Sequence, residues 1–376
     1  MSSKLKLLQR LGIEYPIFLS PMAGVSSIGL AAAITNSGGL GSIPLAPIDF
    51  RQTNGIEKLD KLVSEYGELI NKSRNVVNLN FFCHEIDEDP TSVQINNWRD
   101  LYKKAIHVTD DILDKAKFTN GNISIKQVER DAPGEFNSLL EYLESLKPKI
   151  VSFHFGVPSE VAIHRLQNAG VLVFVSSTSL KETVYLTERG VDGIVLQGYE
   201  AGGHRGNFLA DTESDEKLST ESLFNQSKEY LDSLKTENIP YLVPAGGIVS
   251  GETINHYISQ GAASVQLGTA FLATPESLNS KFFNNPSINK PTIMTDLVSG
   301  KIARAVKTDF INGLIENDNY QRNELPPYGY VYNAYKSVKP LVDQDIGFHL
   351  AGTNYQHIEK NKSAKEVMNI LIEQLE

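Results

Sequence analysis

Short apolar, β-branched runs recur along the 376-residue chain, each followed by a stretch of helical length, and this alternation leaves few folds open. Ile17 to Leu19, Leu40 to Ile43, Val76 to Phe82, Ile150 to Phe155, Val171 to Val175, Gly193 to Gln197, Tyr241 to Ala245 and Ser264 to Gly268 read as eight strands. Ser26 to Ser37, Ser159 to Ala169, Ser179 to Arg189, Thr220 to Lys235 and Gly251 to Gln260 read as helices. Gly38-Gly39, Gly170, Gly190 and Gly261 close four of them, as expected where a helix ends on a left-handed residue. Parallel strands joined by crossover helices leave this signature. Eight such units over about 270 residues approach the ~250 of a TIM barrel, so the expected class is α/β, a (β/α)8 barrel. A doubly wound open sheet shows the same alternation, but its usual Gly-x-Gly-x-x-Gly turn is absent.

Two stretches break the rhythm: 83–122, which holds the single Trp, and 275–351, rich in Asn, Pro and Tyr. The expected layout is a barrel from 1–82 and 123–274, a cap over its mouth from 83–122 and 275–351, and a return segment, 352–376. In that segment Ser363 to Leu375 reads as an amphipathic helix with Val367, Met368, Leu371 and Leu375 on one face. The net charge is −10 and the Lys and Arg residues are scattered, which argues against nucleic acid or an anionic membrane as partner. No window reaches the ~18 consecutive apolar residues of a spanning helix. Met1 to Leu11 has neither an apolar core segment nor a cleavage site, and one cysteine, Cys83, cannot form an internal disulfide. These features point to the cytoplasm, with the mitochondrion as the alternative; monomer and homodimer both stay open.

In such barrels reactive groups sit at the C-terminal ends of the strands. Those ends carry Pro21-Met22-Ala23, Asn78, Asn80, His154, Ser176-Ser177-Thr178, Gln197, Gly202-Gly203-His204, Gly246-Gly247 and Gly268-Thr269. Small, amide and hydroxyl groups with two histidines, and no acidic cluster, suit a flat hydrogen-bonding heterocycle better than a divalent metal. The turns 244–248 and 266–270 follow the seventh and eighth strands, where barrels often bind phosphate on main-chain amides. Either turn alone could be only a tight connection. His204, flanked by glycines, is suited to take a proton from an acidic carbon, the plain alternative being a solvated loop histidine. Arg205 could hold a phosphate or an anionic substrate, or be a surface charge. His154 could be a satisfied core residue or part of the site. Asn78 and Asn80 need partners for their amides if buried. Cys83 beside His84 reads as inert core before it reads as a nucleophile. Tyr328, Tyr332 and Lys336 recur every four residues and could face one way, toward packing or toward substrate. There is no His-Glu-x-x-His zinc spacing and no Gly-x-Ser-x-Gly elbow.

Taken together, Pro21 to Gly24, Asn78-Leu79-Asn80-Phe81-Phe82-Cys83-His84, Gln197 to Gly206, the turn 245–248 and Gln266 to Leu272 resemble the class I nitronate monooxygenases, formerly 2-nitropropane dioxygenases. The match runs in order over nearly the whole chain. The resemblance implies non-covalent FMN, with Met22, Asn80 and Gln197 near the isoalloxazine and Gly202, Gly247, Gln266, Leu267, Gly268 and Thr269 reaching the ribityl phosphate. It implies His204 as base, with Tyr328, Tyr332 and Lys336 on the substrate side, to which His154 is added as a candidate. The implied reaction is oxidation of alkyl nitronates by O2 to a carbonyl compound and nitrite, propionate 3-nitronate being the expected substrate. Neutral nitroalkanes would enter after losing their α-proton. The insertion containing Trp98 and the Ser-Asp-Glu-rich loop after Phe208 depart from the bacterial pattern. Alternatives on a similar barrel are a nicotinamide-dependent enoyl-thioester or quinone reductase, a sugar-phosphate isomerase or aldolase, and a non-catalytic flavin-binding protein.

Overall fold

The computed structural model describes residues 3–85, 88–210, 213–236 and 238–375. Eight parallel strands, β1 (Ile17–Leu19), β2 (Ser42–Pro44), β3 (Asn78–Phe82), β4 (Ile150–His154), β5 (Leu172–Ser177), β6 (Gly193–Gln197), β7 (Tyr241–Ala245) and β8 (Val265–Leu267), form one sheet. It runs in the order β1-β8-β7-β6-β5-β4-β3-β2. The two ends meet at a parallel bridge between Phe18 and Leu40, where the Leu19 N–H donates to the Leu40 carbonyl at 2.9 Å. The sheet thus returns on itself into a nearly closed barrel, which rules out the open doubly wound arrangement.

Serines set where the crossover helices begin. Ser27, Ser159, Ser179, Ser219 and Ser250 each accept the N–H three residues on, satisfying one of the amides a helix start leaves unpaired. Each such cap contributes about 1 kcal/mol. The barrel interior is filled by Phe18, Phe174, Val195 and Val243, and the helix Ser3–Leu11 plugs its lower end with Leu7, Leu8 and Leu11. Gly193 is dictated by this filling: a Cβ there would lie 2.3 Å from the Phe174 ring. The return helix spans Ala364–Glu373, starts on a Ser363/Glu366 capping box, and lays Val367, Met368 and Leu371 against the helix Ile28–Asn36. Leu375 lies past its end, though it still packs on the core.

The two insertions build a core of their own. Trp98, Leu101 and Tyr102 of the helix Ser92–Ile106 meet Phe310, Ile311 and Leu314 of the helix Asp309–Asn317, with Tyr335 and Val338 of the helix Tyr330–Val338 behind them. Residues 86 and 87 of the first insertion, and 211 and 212 of the loop after Phe208, lie outside the described residues. A three-stranded antiparallel sheet runs Thr292–Thr295, Ala303–Val306, Gly203–His204. Its register sets Ala303 opposite His204, so the cap grips the loop beyond β6 by its main chain. Among the described residues no helix is long and apolar enough to cross a membrane.

Candidate active site

A cavity of about 440 Å³ opens at the C-terminal ends of the strands, beneath the cap. Met22, Asn80, His154, Gln197, Gly202, His204, Gly247, Gln266, Gly268, Thr269, Tyr328, Tyr332 and Lys336 all border it. Leu267 does not: side chains alternate along a strand, so Gln266 faces the cavity while Leu267 points outward into the core. Its carbonyl is taken by the Ser20 N–H at 2.8 Å. Asn78 lies deeper, its amide nitrogen donating to Ser42 Oγ at 3.0 Å. Cys83 is fully buried, and burial pushes its thiol far above the usual range, which fits inert core.

His204 is fixed at both ends. Its carbonyl accepts from Gln197 Nε2 at 2.9 Å and from His154 Nε2 at 3.2 Å, while its own Nε2 lies 2.9 Å from Ser299 Oγ. Gln197 closes the loop by accepting the Gly206 N–H on Oε1 at 2.7 Å. His154 is a supporting group, since Ser176 Oγ engages its Nδ1 at 2.9 Å and both ring nitrogens are spent inside the protein. Burial, then the neighbouring His154, Lys301 and Lys336, push His204 down to about 3, and burial foremost pushes His154 down to about 4. Both rings are therefore neutral near pH 7. Tyr328 and Tyr332 stand over His204, with ring centroids 5.7 and 5.9 Å away, and the Lys336 ammonium rests 4.6 Å from the centre of the Tyr332 ring.

Arg205 is neither a surface charge nor a cavity residue. Its guanidinium grips Asp215 through Nε to Oδ2 at 2.8 Å and Nη2 to Oδ1 at 2.9 Å, with side chains 2% and 6% exposed. Nη1 also donates to the Gln197 carbonyl at 2.6 Å, so the acidic loop after Phe208 folds back to brace the His204 loop. Glu182, fully buried, does the same from below by accepting the N–H groups of Thr178, Phe208 and Leu209. Arg205→Ala should destabilise the protein by about 3–5 kcal/mol, because it strands a buried carboxylate. Replacing both partners, Arg205→Met with Asp215→Leu, should recover most of that loss. Urea midpoints of the three variants check this, and an Arg205→Ala midpoint equal to wild type would show the pair to be idle.

The other end of the cavity is made of main chain. Gly246 and Gly247 have φ of 120° and 71°, and their N–H groups find no acceptor among the described residues. Successive amides left free in this way form an anion-binding concavity. Thr269 Oγ1 accepts the Gly352 N–H at 3.0 Å and so keeps its own hydrogen to donate.

Sequence reasoning misses three contributors. Phe155 holds φ 73°, a region bulky residues rarely adopt, and sets its ring between His154 and Tyr328. Lys301 stacks on that ring at 4.8 Å, and Ser299 meets His204 from a turn of the cap. Only the kink before Gly156 could have been suspected, from a glycine directly after a strand.

Residues 4–374 match the family model for nitronate monooxygenase. A Saccharomyces cerevisiae protein named for nitronate monooxygenase activity is 42% identical over 358 residues, which is 93% of this chain and 87% of that one. A Staphylococcus aureus (strain Newman) protein named for the same activity is 30% identical, over 100% of this chain and 98% of its own. Among solved structures, nitroalkane oxidase from Streptomyces ansochromogenes aligns with a TM-score of 0.79 at 26% identity, covering 98% of this chain and 97% of that one. FabK from Thermotoga maritima, with a TM-score of 0.65 at 21% identity and 98% and 95% coverage, shares the fold. On the strength of a match that spans both barrel and cap, the chain belongs to the nitronate monooxygenase family of oxidoreductases.

Proposed function

We propose that this enzyme binds FMN and oxidises alkyl nitronates with O2, propionate 3-nitronate among them, to a carbonyl compound and nitrite. We further propose that it accepts neutral nitroalkanes once His204 has taken their α-proton. One observation carries the reading: a neutral imidazole and a set of unpaired main-chain amides share a single cavity. At about 440 Å³ the cavity lies within the range of roughly 300–1,000 Å³ that holds ligands of cofactor size.

The residues fit the flavin. The free amides of Gly246 and Gly247, with the Thr269 hydroxyl, would take the phosphate. Asn80 spends its amide N–H on Ser152, at 2.9 Å, and so has a carbonyl oxygen to offer, while Gln197 keeps one N–H beyond the one it gives His204. An acceptor beside a donor suits the edge of a heterocycle that carries both. When bound, FMN supplies the electron acceptor between nitronate and O2. The chain itself orients, excludes water and moves one proton. Lys301 and Lys336, near His204, favour an anion in the cavity and disfavour an imidazolium unless that anion is there. Formation of a nitronate beside His204 therefore offsets the charge that the ring acquires.

The purified protein should be yellow, release FMN on denaturation, and consume O2 while forming nitrite from propionate 3-nitronate. Colourless protein that ignores added FMN would sink the reading. Rapid anaerobic bleaching by NADPH without nitronate turnover would replace it with the reductase alternative.

A further inference from the structure

Hydrogen counting around His204 fixes which of its nitrogens can act. Ser299 Oγ lies 2.9 Å from the Lys301 carbonyl oxygen and 2.9 Å from His204 Nε2. A serine hydroxyl has one hydrogen, and a carbonyl oxygen has none. That hydrogen is spent on Lys301, so toward His204 the Ser299 oxygen can only accept. In the neutral ring the proton therefore sits on Nε2, and the lone pair belongs to Nδ1. Nδ1 has no protein partner among the described residues, and His204 is only partly covered where it borders the cavity.

We propose that Ser299 is a positioning residue that holds His204 as the Nε2–H tautomer, so that Nδ1 is the atom that takes the α-proton of a nitroalkane. This rests on the reading of His204 as base. In the step, the electron pair of the breaking C–H bond stays on the substrate as nitronate, and the proton goes to Nδ1. The Nε2–H to Ser299 bond persists and strengthens, because its donor now carries charge.

Neither partner is free to drift. Ser299 is fully buried in a turn closed by the Gly300 N–H on the Asp296 carbonyl at 2.7 Å. Gly300 has φ 80°, and a Cβ there would meet Val331 at 2.7 Å and the Tyr328 nitrogen at 2.8 Å, which fixes the turn against the cap. His204 is held through its main chain by Ala303, Gln197 and His154. The titratable groups around the ring are Lys301, Lys336, His154, Tyr328 and Tyr332. None of them is an acceptor for Nε2–H, which leaves that part to Ser299.

The test uses the protein as purified, labelled with 15N-histidine. Two-bond 1H–15N correlations report each ring's tautomer, and the His204 signals among the 8 histidines are identified by their loss in His204→Asn. The expected pattern at His204 is Nε2–H; an Nδ1–H pattern overturns the proposal. In parallel, Ser299→Ala should lower kcat/KM for a nitroalkane by roughly 10- to 100-fold, the range for a hydrogen bond to a charged group. It should also move the acidic limb of the pH profile to lower pH, since the imidazolium loses an acceptor. Turnover of preformed nitronate should stay within about twofold, and Ser299→Thr, which keeps the hydroxyl, should restore the nitroalkane rate. Equal loss on both substrates would reduce Ser299 to a structural part and overturn the assignment. Because the tautomer is read without turnover, an enzyme inactive on nitroalkanes would refute the base while Nε2–H still upholds the fixed ring.

Discussion

His204→Asn should cut kcat/KM for a neutral nitroalkane by about 10²–10⁴-fold and leave oxidation of the matching preformed nitronate within about threefold. The split follows from where the proton is. A nitroalkane must lose it inside the cavity, and His204 is the imidazole there with a nitrogen to spare, since both nitrogens of His154 are engaged. A nitronate arrives without that proton and needs only its place beside the cofactor. Asn keeps the main-chain pairing to Ala303, so the loop should stay where it is. The wild-type nitroalkane rate should also be flat between about pH 5 and 7, with no loss near the usual imidazole value. The sign is set by burial and the adjacent cations, which lower His204 to about 3, so that protonation disables it only in more acidic solution. Parallel O2-uptake assays on the acid and its anion, completed before they interconvert, decide the matter. Equal loss on both would remove His204 from the proton step.

The barrel is readable because its physics is local: β-branched runs recur eight times, serine caps start five of the crossover helices and glycines close four of those expected, and the proposed anion site falls at the glycine turns after β7 and β8. What escaped was set by partners distant in sequence. Gly203–His204 is a two-residue strand, too short to show a period, and its partner lies about 100 residues on at Ala303. Arg205 shows a charge in the sequence but not its burial, which depends on Asp215 arriving from the next loop. The resemblance groups Leu267 with Gln266, Gly268 and Thr269 at the phosphate, whereas strand alternation turns its side chain into the core. Ser299 and Lys301 lie in a segment with no motif at all, and only the folded cap brings them to the histidine.

The phosphate end should prove the more fragile. A Cβ on Gly202 would lie 2.4 Å from the Gly352 nitrogen and 2.5 Å from the Ala351 carbonyl carbon, both main-chain atoms that cannot swing aside. Gly202→Ala must therefore displace the segment 351–354. That segment ties the proposed phosphate cradle together: Gly352 N–H donates to Thr269 Oγ1 at 3.0 Å, and Asn354 Nδ2 donates to the Gly247 carbonyl at 2.7 Å. Loosening both at once removes the equivalent of two hydrogen bonds to a charged group, so FMN affinity should fall about 10²- to 10⁴-fold. Fluorescence titration of the apoprotein with FMN reads the loss directly, and the thermal midpoint of the variant should no longer rise on adding FMN at concentrations that stabilise wild type. Because His204 is clamped separately through Ala303 and Gln197, saturating FMN should return nitronate turnover to within about fivefold of wild type. Recovery of binding without turnover would mean that the glycine serves the chemistry and not the cofactor. Affinity unchanged in Gly202→Ala would remove the 351–354 segment from the cradle altogether.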